Sequence, residues 1–119
     1  MEQEALQRLV TEAAREVRRG TSEDGVRGSH VLTLVNIILD TALEEEATDI
    51  HLEPMGGRLR IRMRVDGLLQ ENPVQFPAEL APVIIARLKV MAGIDTAKRN
   101  RPQDGQIRYV HGGGTIDMR

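Results

Sequence analysis

The sequence predicts an α+β domain whose antiparallel sheet carries helices on one face, preceded by an amphipathic helix. Three observations predict it. Apolar residues recur at helical spacing in three segments, and five short segments alternate polar and apolar residues with period two. The alternating segments are joined by short glycine-containing turns, which connect neighbouring strands antiparallel.

The elements follow in order. EQEALQRLVTEAAREVRRG sets Leu6, Val10, Ala13 and Val17 on one narrow stripe with Leu9 beside them, and Gly20 ends it. TSEDGVRGS is polar and holds two glycines, so residues 20–28 read as a linker. The helix before it is expected to dock loosely or to serve a neighbouring domain. From Ser29, a candidate N-cap, HVLTLVNIILDTALEEEA carries Val31, Leu34, Val35, Ile38, Leu39 and Ala42 on one broad face, as a core helix should.

TDIHLE alternates as a strand, with Ile50 and Leu52 on one face and Asp49, His51 and Glu53 on the other. Pro54 to Gly57 reads as a turn, and RLRIRMRV as the next strand. Asp66-Gly67 is a turn signal before a short strand, LLQEN. Pro82 suits the first turn of a third helix, PVIIARLKVMAG, which should bury Val83, Ile84, Leu88 and Met91 and stop at Gly93. A basic irregular loop, IDTAKRNRPQDG, leads to QIRYV and TIDMR, a hairpin joined through HGGG. Because the chain ends within an alternating segment, more protein is expected downstream.

Composition narrows the function. At 119 residues, 40% apolar and 29% charged, the chain fits one soluble globular domain. It has no cysteine, which excludes disulfides and thiolate metal sites. Its apolar runs fall far short of the roughly 20 residues of a membrane span, and its acidic start is unlike a secretory signal. A cytoplasmic or peripheral protein is expected. Phe76 and Tyr109 are the only aromatics, too few for the stacking platforms of single-strand readers. Residues 1–57 hold 5 basic and 12 acidic groups, whereas residues 58–119 hold 11 basic and 6 acidic. An anion-binding surface therefore belongs to the second half.

Within that half, Arg58, Arg60, Arg62 and Arg64 place a guanidinium at every second residue of one strand. Guanidinium forks bind phosphate oxygens bidentately and keep their charge at all relevant pH. The structural alternative pairs these arginines with Asp49 and Glu53 on the adjacent strand. Lys98, Arg99 and Arg101 add charge in the basic loop, and Arg87 and Lys89 on the third helix. Duplex DNA is a poor candidate partner, because net charge is −2 and no segment resembles a groove-reading helix. Asp49, His51 and Glu53 form the only His/carboxylate cluster, but alternate strand residues point in parallel and do not converge on a metal. The glycines at 112–114 lack the Lys-Ser/Thr of a phosphate loop, so the chain carries no Walker A element and no turnover of its own is expected.

ATDIHLEP, RIRMRVDG, ARLKVMAGIDTAKRNRPQDGQI and IDMR, in this order and spacing, resemble the secretion and type IV pilus assembly ATPases of the GspE/PilB kind. The match is to the domain just before their RecA-like motor domain. It covers about residues 29–119, and the Walker motifs and the motor's carboxylate and histidine boxes are not in this chain. The resemblance implies a PAS-like domain over 29–119, after a helix at 1–19 and a linker at 20–28. It implies a cytoplasmic protein peripheral at the inner membrane and a hexameric parent using ATP and Mg. The partners implied are its own motor domain, neighbouring subunits and an inner-membrane secretion or pilus platform, with no nucleic acid. It also implies that arginines of this domain reach ATP phosphates: Arg62 and Arg64 first, at the strand end beside the Asp66-Gly67 turn, then Arg101, Arg99 and Arg87. A stand-alone PAS-like sensor or adaptor is the alternative.

Overall fold

Leu59, Ile61 and Met63 are buried while Arg58, Arg60, Arg62 and Arg64 are not, so the alternation seen in the sequence becomes a strand with one face in the core. The computed structural model describes residues 3–19, 29–93, 107–111 and 114–118. Within them, helices α1 (Gln3–Arg18) and α2 (Ser29–Glu44) precede strands β1 (Asp49–Met55), β2 (Arg58–Val65), β3 (Leu68–Glu71) and β4 (Phe76–Pro77). Helix α3 (Leu80–Met91) and strands β5 (Ile107–His111) and β6 (Gly114–Met118) follow.

The expected α+β fold is the one observed. Strand β2 is the spine of a four-stranded antiparallel sheet. It pairs along its length with β1, and on its other edge with β3 at one end and β4 at the other. The β2–β3 connection is the two-residue turn Asp66-Gly67, both residues at positive φ (52° and 81°), which matches strand twist. Strands β5 and β6 form a separate antiparallel pair. The linker 20–28, the basic loop 94–105 and Gln106 lie outside the described residues.

Buried residues of all three helices share one core with the apolar face of β2. Val31, Leu34, Val35, Ile38, Leu39 and Ala42 of α2 are all buried, as their spacing requires. Helix α1 contributes Leu6, Val10, Ala13 and Ala14 to the same core. It is therefore an integral layer of the fold instead of a loosely docked helix. Polar clamps fix its position: Arg18 bonds Glu79 at 2.9 Å, Glu16 bonds His30 at 2.5 Å, and Gln7 accepts the Gln75 N–H at 3.4 Å.

Several boundaries differ from the sequence-based expectation, each for a local reason. Strand β1 runs through Pro54 to Met55, because an edge strand can accommodate a proline whose missing N–H faces away from the ladder. Helix α2 stops at Glu44 instead of running through Ala47. The Glu46 N–H bonds the Leu43 carbonyl at 3.2 Å and the Ala47 N–H bonds that of Ala42 at 2.9 Å, with Glu46 at φ 56°. This is a Schellman closure made without glycine. Helix α3 starts two residues before Pro82, which sits comfortably anywhere in a first turn. Leu80, Ala81 and Ile84 are its buried residues, while Val83, Leu88 and Met91 are half-buried.

Strand β4 has no signature in the sequence. Asn72 builds it: its N–H bonds the Ile61 carbonyl at 3.0 Å and its Oδ1 accepts the Val74 N–H at 2.9 Å. That turn returns Phe76 alongside Leu59, where both are buried.

Candidate functional site

The face of β2 turned away from the helices is where charge collects. Register sets Asp49 opposite Arg64, His51 opposite Arg62 and Glu53 opposite Arg60, so every polar residue of β1 faces a guanidinium-bearing one. On the other edge Glu71 of β3 lies opposite Arg62. Four cations and three carboxylates thus share one sheet surface.

Their contacts divide the face into three parts. In the middle, the Glu53 carboxylate accepts from both Arg60 and Arg62, the former at 3.1 Å and the latter in a very short contact. Arg58 Nη1 bonds Glu71 Oε2 at 2.8 Å. At the far end Arg64 lies 3.2 Å from Asp49 through Nε and reaches the Gly67 carbonyl at 3.4 Å through Nη1. Arg64 is the loosest of the four, with 39% of its side chain exposed against 26% for Arg62. The structural alternative of cross-strand pairing therefore holds in this structure, with Glu71 as a third anion in addition to Asp49 and Glu53.

The carboxylates register the field. Hydrogen bonds from Arg62 and then Arg60 hold Glu53 below the usual carboxylate range, against a smaller opposing effect of burial. Arg58 does the same for Glu71. Beneath the paired Nη groups, the Nε atoms of Arg60 and Arg62 are screened from solvent and have no hydrogen-bond partner among the described residues. Two donors on adjacent forks thus remain unused on one face.

Of the arginines singled out in the sequence, Arg62 and Arg64 share this face. Arg87 does not join them, since it lies on α3 in the layer covering the opposite face of the sheet. Arg99 and Arg101 lie outside the described residues. Arg60, not among the sequence candidates, lies on the same face and shares Glu53 with Arg62. Among the described residues no three His, Asp or Glu side chains converge as a metal site. No helix among them is long and apolar enough to cross a membrane.

Comparison with known proteins places this geometry in context. The family of type II/IV secretion system proteins matches residues 25–119. The type II secretion system protein E of Pseudomonas aeruginosa is 45% identical over 89 residues, 75% of this chain and 18% of that protein. That of Xanthomonas campestris is 44% identical over 89 residues, 75% of this chain and 16% of that protein. The type IV pilus assembly ATPase PilB of Myxococcus xanthus is 44% identical over 84 residues, 71% of this chain and 15% of that protein. The chain thus spans under a fifth of the length of these relatives.

Proposed function

Because this chain belongs to the type II/IV secretion system protein family, we propose that it is the non-catalytic domain of a longer secretion or type IV pilus assembly ATPase, one that carries arginines to ATP held by an adjoining motor domain. The division into a helix at 1–19, a linker at 20–28 and a PAS-like domain at 29–119 is part of this proposal. So are a hexameric parent, cytoplasmic and peripheral at the inner membrane, and a platform partner there. Arg62 and Arg64 are the first candidates for phosphate contact, followed by Arg101, Arg99 and Arg87.

The observation that carries it is the arginine face of β2, where Arg58, Arg60, Arg62 and Arg64 alternate with the buried Leu59, Ile61 and Met63 and so lie together on the side away from the core. Planar forks suit phosphate oxygens. In this proposal Mg belongs with the ATP of the motor domain, and the guanidinium groups of this chain meet the phosphates. When bound there, ATP supplies the polyanion and the hydrolysable bond. A terminal phosphate that draws Arg64 and Arg62 toward it holds the domain closed against the motor, and its release after hydrolysis removes the differential contact that favours closure. That difference is what moves the domain and, through it, the pilin or pseudopilin.

The test is steady-state ATP turnover by the longer parent. Arg62→Ala and Arg64→Ala should each lower kcat, by between about tenfold and the 10³ to 10⁵ known for arginine fingers. Arg15→Ala, on the exposed side of α1 with Glu12 at 2.8 Å, should leave turnover unchanged. Full turnover in both β2 variants contradicts the proposal. It would favour instead the reading suggested by the ion pairs, in which these arginines only lock the sheet.

A further inference from the structure

Two guanidinium groups that share one carboxylate have the arrangement of an anion cradle that is already filled. Arg60 and Arg62 reach the same Glu53, one to each oxygen, from positions two residues apart on β2. One negative charge thus faces two positive ones. The backbone pairing that aligns Glu53 with Arg60 keeps all three on the same face. Both Nε–H groups are screened from solvent and unpartnered among the described residues, so the donors that face Glu53, and that an incoming anion would compete for, are the Nη2 groups. Glu53 itself has 37% of its side chain exposed and sits on an edge strand, which gives it an open route to swing out into water.

We propose that Glu53 is an internal stand-in for phosphate: it occupies Arg60 and Arg62 in the absence of ligand, holds their forks parallel, and is displaced when a polyphosphate enters. This inference rests on the proposed role of the β2 face and adds two residues to it, Arg60 as the partner of Arg62 and Glu53 as the occupant. The physical logic is competition for the same donors. A carboxylate offers one charge and two oxygens, whereas a polyphosphate offers several of each, so it wins the cradle once its concentration suffices. Until then the carboxylate prevents the pair from repelling itself apart or capturing stray anions. No proton transfer is needed, because Glu53 leaves ionised into solvent and both guanidiniums keep their charge. Glu53 is a positioning residue and touches no reacting atom.

Tripolyphosphate binding to the 119-residue chain, followed by the Nε–H resonances of Arg60 and Arg62, tests this directly. Glu53→Gln removes the competing charge while keeping the side chain's size, and should tighten binding about tenfold or more. Glu53→Asp, which keeps the charge, should bind as weakly as the unaltered chain. Adding Arg60→Ala or Arg62→Ala to Glu53→Gln should abolish the gain. Thermal melts identify variants that remain folded, and Glu53→Ala substitutes if Glu53→Gln does not.

Equal affinity in Glu53→Gln and the unaltered chain overturns the stand-in role. So does a gain that persists without Arg60 and Arg62, or no detectable binding by the folded Glu53→Gln chain. None of these results touches the turnover of the longer parent carrying Arg62→Ala or Arg64→Ala, so failure of this inference and failure of the proposed function are read separately.

Discussion

Glu53 and Glu71 tie the stability of the sheet to pH. Their arginine partners hold both carboxyls below the ordinary value of 4.5 in the folded chain, whereas the unfolded chain returns them to it. A group whose folded pKa is depressed stabilises the fold above its unfolded pKa and stops doing so as pH falls through the folded one. Unfolding by denaturant should therefore show a midpoint that is flat near neutrality and declines below about pH 4.5. In Glu53→Gln and Glu71→Gln that decline should be shallower. An acid limb of unaltered slope in both variants contradicts the role assigned to these pairs.

Glu46 carries a second residue-scale prediction. It closes α2 at φ 56°, a conformation that an L side chain adopts at a cost of roughly 1 kcal/mol, and it places negative charge at the negative end of the helix dipole. Glu46→Gly should raise stability by about 0.5–1 kcal/mol in a denaturant melt. A neutral or destabilising result would show that the Glu46 side chain makes a compensating interaction.

At the scale of elements, β2 separates the face that stabilises the fold from the face proposed to meet nucleotide. Ile61 is buried and interlocks with the helices, so Ile61→Ala should cost about 2–5 kcal/mol. Arg62→Ala changes only the charged face and should leave the fold standing. Comparison of the two melts checks this, and a larger loss in Arg62→Ala than in Ile61→Ala contradicts it.

The division of β2 into faces was legible in the sequence because period two displays it directly and both neighbouring turns are marked by glycine. The partners of its arginines were legible only in part. Asp49 and Glu53 follow from hairpin register, but Glu71 reaches Arg58 across four residues of β2, a diagonal that depends on how β3 is seated. Strand β4 is two residues long and exists because Asn72 turns the chain back onto Leu59. No local pattern can announce a strand whose only reason is its neighbour.

At the scale of the molecule, the N-terminal helix is the main departure from expectation. Its stripe was read through Leu6, Val10, Ala13 and Val17, yet Ala14 is buried with Leu6, Val10 and Ala13 while Val17 is only partly buried. Small residues permit the close approach of α1 that the periodicity alone could not convey. Because α1 shares one core with α2, α3 and β2, Val10→Asp, which buries an unpaired charge, should destabilise the whole unit. A single cooperative transition shifted to lower denaturant is expected. Loss of helical signal from α1 alone, with the rest unfolding where it did before, contradicts a shared core.

Arg99 and Arg101 lie outside the described residues, and the charged face described is that of β2. The proposed contact of that face with nucleotide is tested in the proposed longer parent, whose motor domain would hold ATP. The most direct measurement is a structure of that parent with a non-hydrolysable ATP analogue bound. The account predicts Arg62 or Arg64 within hydrogen-bonding range of the terminal phosphate, about 2.7–3.2 Å, with the partner carboxylate turned away. Both arginines still bonded to Glu53 and Asp49, and remote from the nucleotide, would contradict it.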